Sequence, residues 1–195
     1  MYKTISNEII RQFNPCYDPS KFITDENEEL PIKDWVQKYR NAVPAKDILW
    51  LLLRREFLSE KDLRLFAVWC AREALKLVEN PDERIIEACN MSEKFANGEA
   101  TQEELHTAYA AAYAAYSTHA AYYASAYTAR AARAAYYASD YAARAAANAS
   151  DAAYYASEAA YFASEAAYVS ARAAAYYAAY AAYAAQLDQL LTYFE

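Results

Sequence analysis

Apolar residues recur at helical spacing through the first 100 residues of the chain. Between Glu60 and Val78 they follow a rhythm of three and four, which is typical of an amphipathic helix. A denser apolar run at 45–57 surrounds Trp50 and predicts a helix with most of its circumference buried. Weaker patterns predict three further helices, at 5–13, 32–42 and 82–96. Residues 1–100 are therefore predicted to form a small N-terminal helical domain.

Prolines, small polar residues and the one glycine mark the expected ends of these helices. Pro31 suits the first position of the helix at 32–42, and Pro44 should break the chain after it. Ser59 is expected to cap the helix that begins at Glu60, and Asn80 the helix after that. Gly98 suits the left-handed residue that commonly follows a helix.

Residues 14–30 are predicted to form an exposed connection between two helices. They hold Pro15, Pro19 and an acidic stretch at 25–29.

Tight hairpin turns favour glycine, and the chain has only 1 glycine, so β-hairpins are not expected. The chain is therefore predicted to be all-α.

Beyond Gly98 the pattern changes to alanine and tyrosine with a seven-residue repeat. Thr101 and Glu104 have the spacing of a capping box, and neither glycine nor proline follows. The strongest repeat is AAYYASE, AAYFASE and AAYVSAR, which covers residues 152–172. Alanine is the best helix former, and a sustained period of seven favours packing against another helix. Residues 101–195 are therefore predicted to form an Ala/Tyr-rich repeat of helices.

Tyrosine pairs are the main source of buried area that this repeat offers. Alanine buries little, whereas one aromatic side chain buries about 150–250 Å². The pairs are therefore predicted to be packing rungs, and they are also the candidate contacts for a partner, since tyrosine is favoured at binding surfaces. The ten residues are Tyr122, Tyr123, Tyr136, Tyr137, Tyr154, Tyr155, Tyr161, Phe162, Tyr176 and Tyr177. The charged residues of the repeat, among them Glu158, are predicted to form a solvated stripe.

Two arrangements of the tail remain open because of an insertion at 148–151. The four residues could form a turn between two helices, which would give a bundle or a helical hairpin. They could instead be a stutter within one long helix, and the charged stripe stays in phase across them. The folded-back bundle is the preferred prediction, because the N-terminal domain is too small to cover a long rod.

Composition excludes several classes of function. The net charge is −7, so nucleic acid is not an expected partner. The N-terminus lacks the layout of a signal peptide, and no charge-free apolar run of about 18 residues predicts a membrane span. Three cysteines without metal-site spacing, Cys16, Cys70 and Cys89, predict a reducing compartment and cytoplasmic localisation. Two distant histidines and no catalytic motif predict a non-enzymatic protein without cofactor or metal.

One part of the chain resembles a known family. The residues are SEKDLRLFAVWCAREAL from Ser59, NPDER from Asn80, Ala88, and FANGEAT from Phe95, followed by the alanine-rich tail. They resemble the immunity proteins of bacterial polymorphic toxin systems, which also occur as uncharacterised bacterial and phage proteins. The resemblance covers about residues 59–185, and its specific part is 59–104. The tyrosine-rich tail departs from the usual tails of that family.

The resemblance implies an all-α protein that neutralises a toxin by binding it. The expected function is therefore stoichiometric inhibition of a toxin or defence enzyme, in an immunity or phage counter-defence role. The alternative expectation is a structural, self-assembling, coiled-coil-like protein, because heptads also favour homo-oligomers.

Overall fold

A computed structural model describes residues 1–76, 80–122, 137, 158, 161 and 175–194 of the chain. Most of this part is helical, as the all-α prediction requires. The helices are α1 (Asn7–Gln12), α2 (Ile32–Tyr39), α3 (Ala45–Leu52), α4 (Glu60–Leu75), α5 (Glu83–Ala96), α6 (Gln102–Tyr122) and α7 (Ala175–Leu191). The other elements are a 3-10 turn at Pro19–Lys21 and two strands, β1 (Thr4–Ser6) and β2 (Glu29–Pro31).

The short strands are the one β element in the described residues, and the helical patterns did not predict them. They pair antiparallel, with Ile5 opposite Leu30. Ile5 is fully buried, which fixes the strand against the helical core. The pair is not a hairpin, because α1 and the 3-10 turn lie between its strands. The scarcity of glycine argues only against tight hairpin turns, so it does not argue against this strand pair.

Local capping chemistry sets several of the helix ends. The Ser59 hydroxyl accepts a hydrogen bond from the Asp62 amide at 3.1 Å, which confirms the predicted cap. The prediction that Asn80 caps α5 is wrong: Asp82 takes that place and accepts from the Arg84 amide at 2.9 Å. Asn80 instead adopts a left-handed conformation, with φ of 55°, which asparagine tolerates better than most residues.

The helix predicted at 45–57 is shorter than its apolar pattern suggested. It ends at Leu52, and Leu53 leaves the helix with ψ of 59° while remaining buried. Phe57 is buried outside the helix as well, so tertiary packing and not helical periodicity explains the apolar run. Trp50 was expected inside, but 38% of it is exposed. Similarly, α2 ends at Tyr39, and Pro31 precedes its first residue.

The junction between α5 and α6 follows its sequence prediction closely. Gly98 has φ of 77°, its amide bonds to the Phe95 carbonyl at 3.0 Å, and the Glu99 amide bonds to the Lys94 carbonyl at 2.8 Å. These two bonds define a Schellman motif. The capping box also forms: the Glu104 amide donates to the Thr101 hydroxyl at 3.2 Å, and the Thr101 amide donates to the Glu104 carboxylate at 2.7 Å.

We expect Gly98→Ala to lower the free energy of unfolding by about 1–2 kcal/mol, the cost of a left-handed conformation for an L-residue. An added Cβ would meet no atom within 4 Å, so backbone strain is the whole expected effect. Gly98→Asn should cost clearly less, because asparagine visits this region more readily. Urea unfolding measures both variants. Equal losses for the two would contradict the strain explanation.

The core joins the beginning of the chain to its far end. Phe66 and Leu63 of α4 and Ile48 of α3 are fully buried, and Leu187 and Leu190 of α7 belong to the same cluster. Helix α7 packs on α3 and α4, while α6 packs on α5 and α5 on α4. Both described ends of the Ala/Tyr-rich tail are therefore attached to the N-terminal helices. The division into two regions at residue 100 stays a prediction.

Candidate functional site

Two of the ten predicted tyrosine-rung residues have described surroundings, and they differ. Tyr161 is helical and 52% exposed, whereas Tyr137 is helical and partly buried. Tyr122, Tyr176 and Tyr177 lie in helices α6 and α7. The other five lie outside the described residues: Tyr123, Tyr136, Tyr154, Tyr155 and Phe162. Glu158, predicted on the solvated stripe, is partly buried.

The heptad gives this difference a simple interpretation. Each repeat carries two adjacent ring positions, and Tyr161 occupies the first whereas Tyr137 occupies the second. Adjacent helical residues point about 100° apart, so one ring of a pair faces outward more than the other. Residues seven apart share a face, so Tyr154 is expected to match Tyr161. The first positions are therefore the candidate contact surface for a partner.

A second candidate site is a cavity of about 300 Å³ between the segment at 15–23 and helices α2 and α3. The lining residues are Ile10, Pro15, Cys16, Tyr17, Pro19, Phe22, Ile23, Trp35, Val43, Lys46, Asp47, Trp50 and Leu51. Most of them are apolar or aromatic, with a few polar groups among them. This composition is typical of small-molecule sites.

The segment at 15–23 was predicted to be an exposed connection, and this is wrong at two of its residues. Pro19 and Ile23 are buried. The buried Asn7 side chain donates to the Ile23 carbonyl at 3.0 Å and holds the segment to α1. Arg11 adds an ion pair with Asp18 at 2.8 Å. These contacts join residues 16 and 7 positions apart, beyond one helical turn, so the helical pattern did not reveal them.

Tyr17 joins the segment to α3 on the cavity wall. Its hydroxyl donates to the Asp47 carboxylate at 2.6 Å. Burial raises the pKa of Tyr17 well above its ordinary value, and the Asp47 hydrogen bond raises it further. At neutral pH the phenol is therefore neutral and can donate to the carboxylate. Both residues line the cavity.

Trp35 is an unusual part of the same wall. It is only 2% exposed, and its indole Nε1–H has no hydrogen-bond partner within the part of the chain that the structure describes. Leaving a buried donor unsatisfied typically costs about 1–3 kcal/mol. The surrounding protein encloses this nitrogen, so the ring and not the N–H contributes to the cavity wall.

Arg54 stands next to the cavity, sandwiched between two rings. Its guanidinium carbon lies 4.4 Å from the Trp50 ring centroid and 4.7 Å from the Phe13 ring centroid. Burial lowers the pKa of Arg54 from its ordinary value, and an arginine stays protonated at neutral pH nevertheless. Trp50 thus contacts a cation by one face and lines the cavity as well.

The three cysteines have different surroundings. Cys16 is exposed at the cavity, while Cys70 and Cys89 are buried in the core. Burial raises the pKa of the Cys89 thiol to about 12, and it raises the pKa of the Cys70 thiol strongly as well. A protonated, buried thiol is a poor nucleophile.

We expect iodoacetamide at neutral pH to alkylate one cysteine in the native protein, Cys16, and all three after unfolding in guanidinium. The reason is that the reagent needs an accessible thiolate, which the buried cysteines do not offer. Intact-mass spectrometry counts the adducts, and peptide mapping places them. Cys16→Ser is the control and should abolish native labelling. Rapid native labelling of Cys70 would contradict the packed core.

The described residues contain no group of three or more histidine, cysteine, aspartate or glutamate side chains that could hold a metal ion. Within the same residues, no helix has the length and apolarity needed to cross a membrane.

The sequence analysis did not predict the cavity. Its one local signal is the density of aromatic residues and prolines at 15–22, a composition that is equally typical of a loop.

No family model, curated protein or solved structure matches this chain.

Proposed function

We propose that this protein binds a toxin or a defence enzyme and inhibits it by stoichiometric occlusion, through the Ala/Tyr-rich tail. The observation that carries the proposal is the exposure of Tyr161, half of whose side chain is open to solvent. Large aromatic residues are enriched at the energetic centres of protein interfaces. An exposed ring in a regular repeat is therefore a suitable anchor for a partner.

The repeat is expected to supply this anchor more than once. Tyr136 and Tyr154 occupy the same first position as Tyr161, with alanines before each ring. Alanine side chains are small, so a partner's larger side chains are expected to fit beside the rings. The chain's net charge of −7 favours a partner with a basic surface, since complementary charge accelerates encounter.

The described ends of the tail support the folded-back arrangement. Ala112 of α6 and Leu187 of α7 belong to one buried cluster. In a straight helix those residues would lie about 110 Å apart at 1.5 Å per residue. A hairpin or bundle satisfies both contacts, whereas a continuous rod does not. We therefore propose that the tail leaves the core through α6 and returns through α7.

A site-specific photo-crosslinker tests the proposed contact. Benzoylphenylalanine is placed at Tyr161 and, as a matched control, at the exposed Lys61 of α4. In the native bacterial or phage-infected host, position 161 should capture one protein that position 61 does not. The purified partner should then form a 1:1 complex, and its activity should fall to zero at one equivalent.

Two variants distinguish anchoring from nonspecific capture. Tyr161→Ala should weaken the complex about 30-fold or more, as for an interface hot spot of 2 kcal/mol, while Tyr161→Phe should retain most of the affinity. Capture of only a second copy of this chain would overturn the proposal in favour of self-assembly. A partner bound equally well by Tyr161→Ala would overturn the assigned surface.

A further inference from the structure

We propose that a surface formed by Lys46, Trp50 and Arg54 binds an acidic segment of a partner protein, with a carboxylate of that segment on Arg54 and an apolar side chain on Trp50. This Lys46–Trp50–Arg54 face lies on α3 and directly after its end, and it uses none of the tyrosine-rich repeat. The proposal therefore goes beyond the proposed inhibition and does not depend on it.

Arg54 differs from the other described arginines in its electrostatic partners. It is the one arginine of the described residues that forms no ion pair. Each of the others pairs with a carboxylate of this chain, and they are Arg11, Arg40, Arg55, Arg64, Arg72 and Arg84. The charge of Glu56 acts on Arg54, but the two side chains form no ion pair. Arg54 is therefore available for a carboxylate from outside the chain.

The Arg54 side chain is held in place by two aromatic rings. Its guanidinium carbon lies 4.4 Å from the Trp50 ring centroid and 4.7 Å from the Phe13 ring centroid. Its Nε is buried and has no hydrogen-bond partner in the described residues, so Nε cannot reach a ligand. The two terminal nitrogens are not buried in this way and make no hydrogen bond within the same residues. They offer the pair of donors that a carboxylate accepts, and their fixed position reduces the entropy cost of binding.

Burial makes an anion favourable at this position. It lowers the pKa of Arg54, because the partly buried charge has lost part of its hydration. A carboxylate brought to the terminal nitrogens would restore part of that lost stabilisation. The neighbouring Arg55 does not offer the same gain, because it is exposed and already pairs with Glu60 at 3.0 Å.

Trp50 supplies the apolar part of the surface. It is 38% exposed, whereas Leu49 and Leu51 on either side of it are buried. Tryptophan and arginine are among the residue types enriched at the energetic centres of interfaces, and here the two are in contact. Lys46 lies one turn earlier on the same side of α3, where it is exposed and forms no ion pair within the part of the chain that the structure describes.

The number of cations favours a protein segment over a polyanion. Nucleic acids and anionic membranes are bound by several positive charges at once. This face offers two cations, Lys46 and Arg54, and the whole chain has a net charge of −7. Two cations and one exposed ring suit a short segment with one or two carboxylates beside an apolar residue.

Selection from a phage-displayed library of random heptapeptides tests the proposal on the full chain. The library is first depleted on Arg54→Gln, which removes peptides that bind elsewhere, and is then selected on the wild type. We expect the enriched peptides to carry aspartate or glutamate next to an apolar residue. The peptide that binds best is then synthesised, together with a copy in which its acidic residue is replaced by the corresponding amide.

A double-mutant cycle assigns the contact. The amide peptide should bind the wild type about tenfold or more weakly than the acidic peptide, as for a hydrogen bond to a charged group, whereas Arg54→Gln should bind the two peptides almost equally. Arg55→Gln is the matched control and should bind the acidic peptide as the wild type does. The acidic peptide should also shift the Trp50 indole signal of the ¹⁵N-labelled protein, which is assigned by its loss in Trp50→Phe. If Arg54→Gln proves unstable, the amide peptide and the Trp50 signal still test the contact on the wild type.

Three results would overturn the proposal. The first is selection of no peptides, or of peptides without acidic residues. The second is equal affinity of the wild type for the acidic peptide and its amide copy, which would remove the carboxylate contact. The third is self-association of the wild type that Arg54→Gln abolishes, measured by light scattering, which would assign this face to a second copy of the chain.

Discussion

Leu190→Ala is expected to lower the free energy of unfolding by about 2–5 kcal/mol, the usual range for removing a buried leucine side chain. Leu190 is 0% exposed and belongs to the same core as helices α3 and α4. Its helix packs on α3 and α4, which lie more than 100 residues away in sequence. The unfolded chain does not keep such a contact, so its loss should appear fully in the free energy of unfolding. Guanidinium unfolding followed by circular dichroism measures the loss.

Asp188→Ala on the same helix is the matched control. Asp188 pairs with Arg40 at 2.8 Å, and both side chains remain substantially exposed. Exposed ion pairs contribute only about 0–1 kcal/mol, so this variant should unfold almost as the wild type does. A loss below about 0.5 kcal/mol for Leu190→Ala would show that α7 is not docked on the core.

Tyr155→Ala is expected to cost about 3–5 kcal/mol, as for truncating an aromatic side chain in a core. Tyr155 lies outside the described residues, but it occupies the second ring position of its heptad, as the partly buried Tyr137 does. The equivalent residue in the next heptad is Phe162, which has no hydroxyl to satisfy. The second position therefore suits a buried ring.

The neighbouring ring supplies the control for that prediction. Tyr154 shares the first position with the exposed Tyr161, so Tyr154→Ala should stay within about 0.5 kcal/mol, as for ordinary surface positions. Tyr155→Phe should cost far less than Tyr155→Ala, because the ring is retained. Thermal unfolding compares the three proteins. A larger loss of stability for Tyr154→Ala than for Tyr155→Ala would contradict the assignment. It would make the first ring position the packing position and the second the contact position.

Features set by neighbouring residues could be predicted from the sequence. Ser59, Gly98 and the Thr101–Glu104 box act through hydrogen bonds within one helical turn, so residue type and spacing suffice. The burial of Cys70 and Cys89 follows from their places on apolar helix faces. The helical class also follows from local propensity, since the chain is rich in good helix formers.

Features set by distant residues could not be predicted in this way. The apolar pattern of α3 continues past Leu52, where the helix ends. Phe57 lies outside the helix and is apolar because tertiary contacts bury it. The cavity wall includes a hydrogen bond from the Tyr17 hydroxyl to the Asp47 carboxylate, which lies 30 residues further along the chain. The pairing of β1 with β2 likewise joins residues about 25 positions apart. None of these partners can be identified from spacing along the chain.

The docking of α7 on α3 and α4 also has a consequence for the chain during its synthesis on the ribosome. About 110 residues separate the end of α4 from Leu187, and synthesis at 5–20 residues per second covers them in roughly 6–20 s. During that interval the apolar surface that Leu187 and Leu190 later cover has no native cover. Nascent chains therefore present a transient binding surface for chaperones, and the long separation predicts slow closure of the fold.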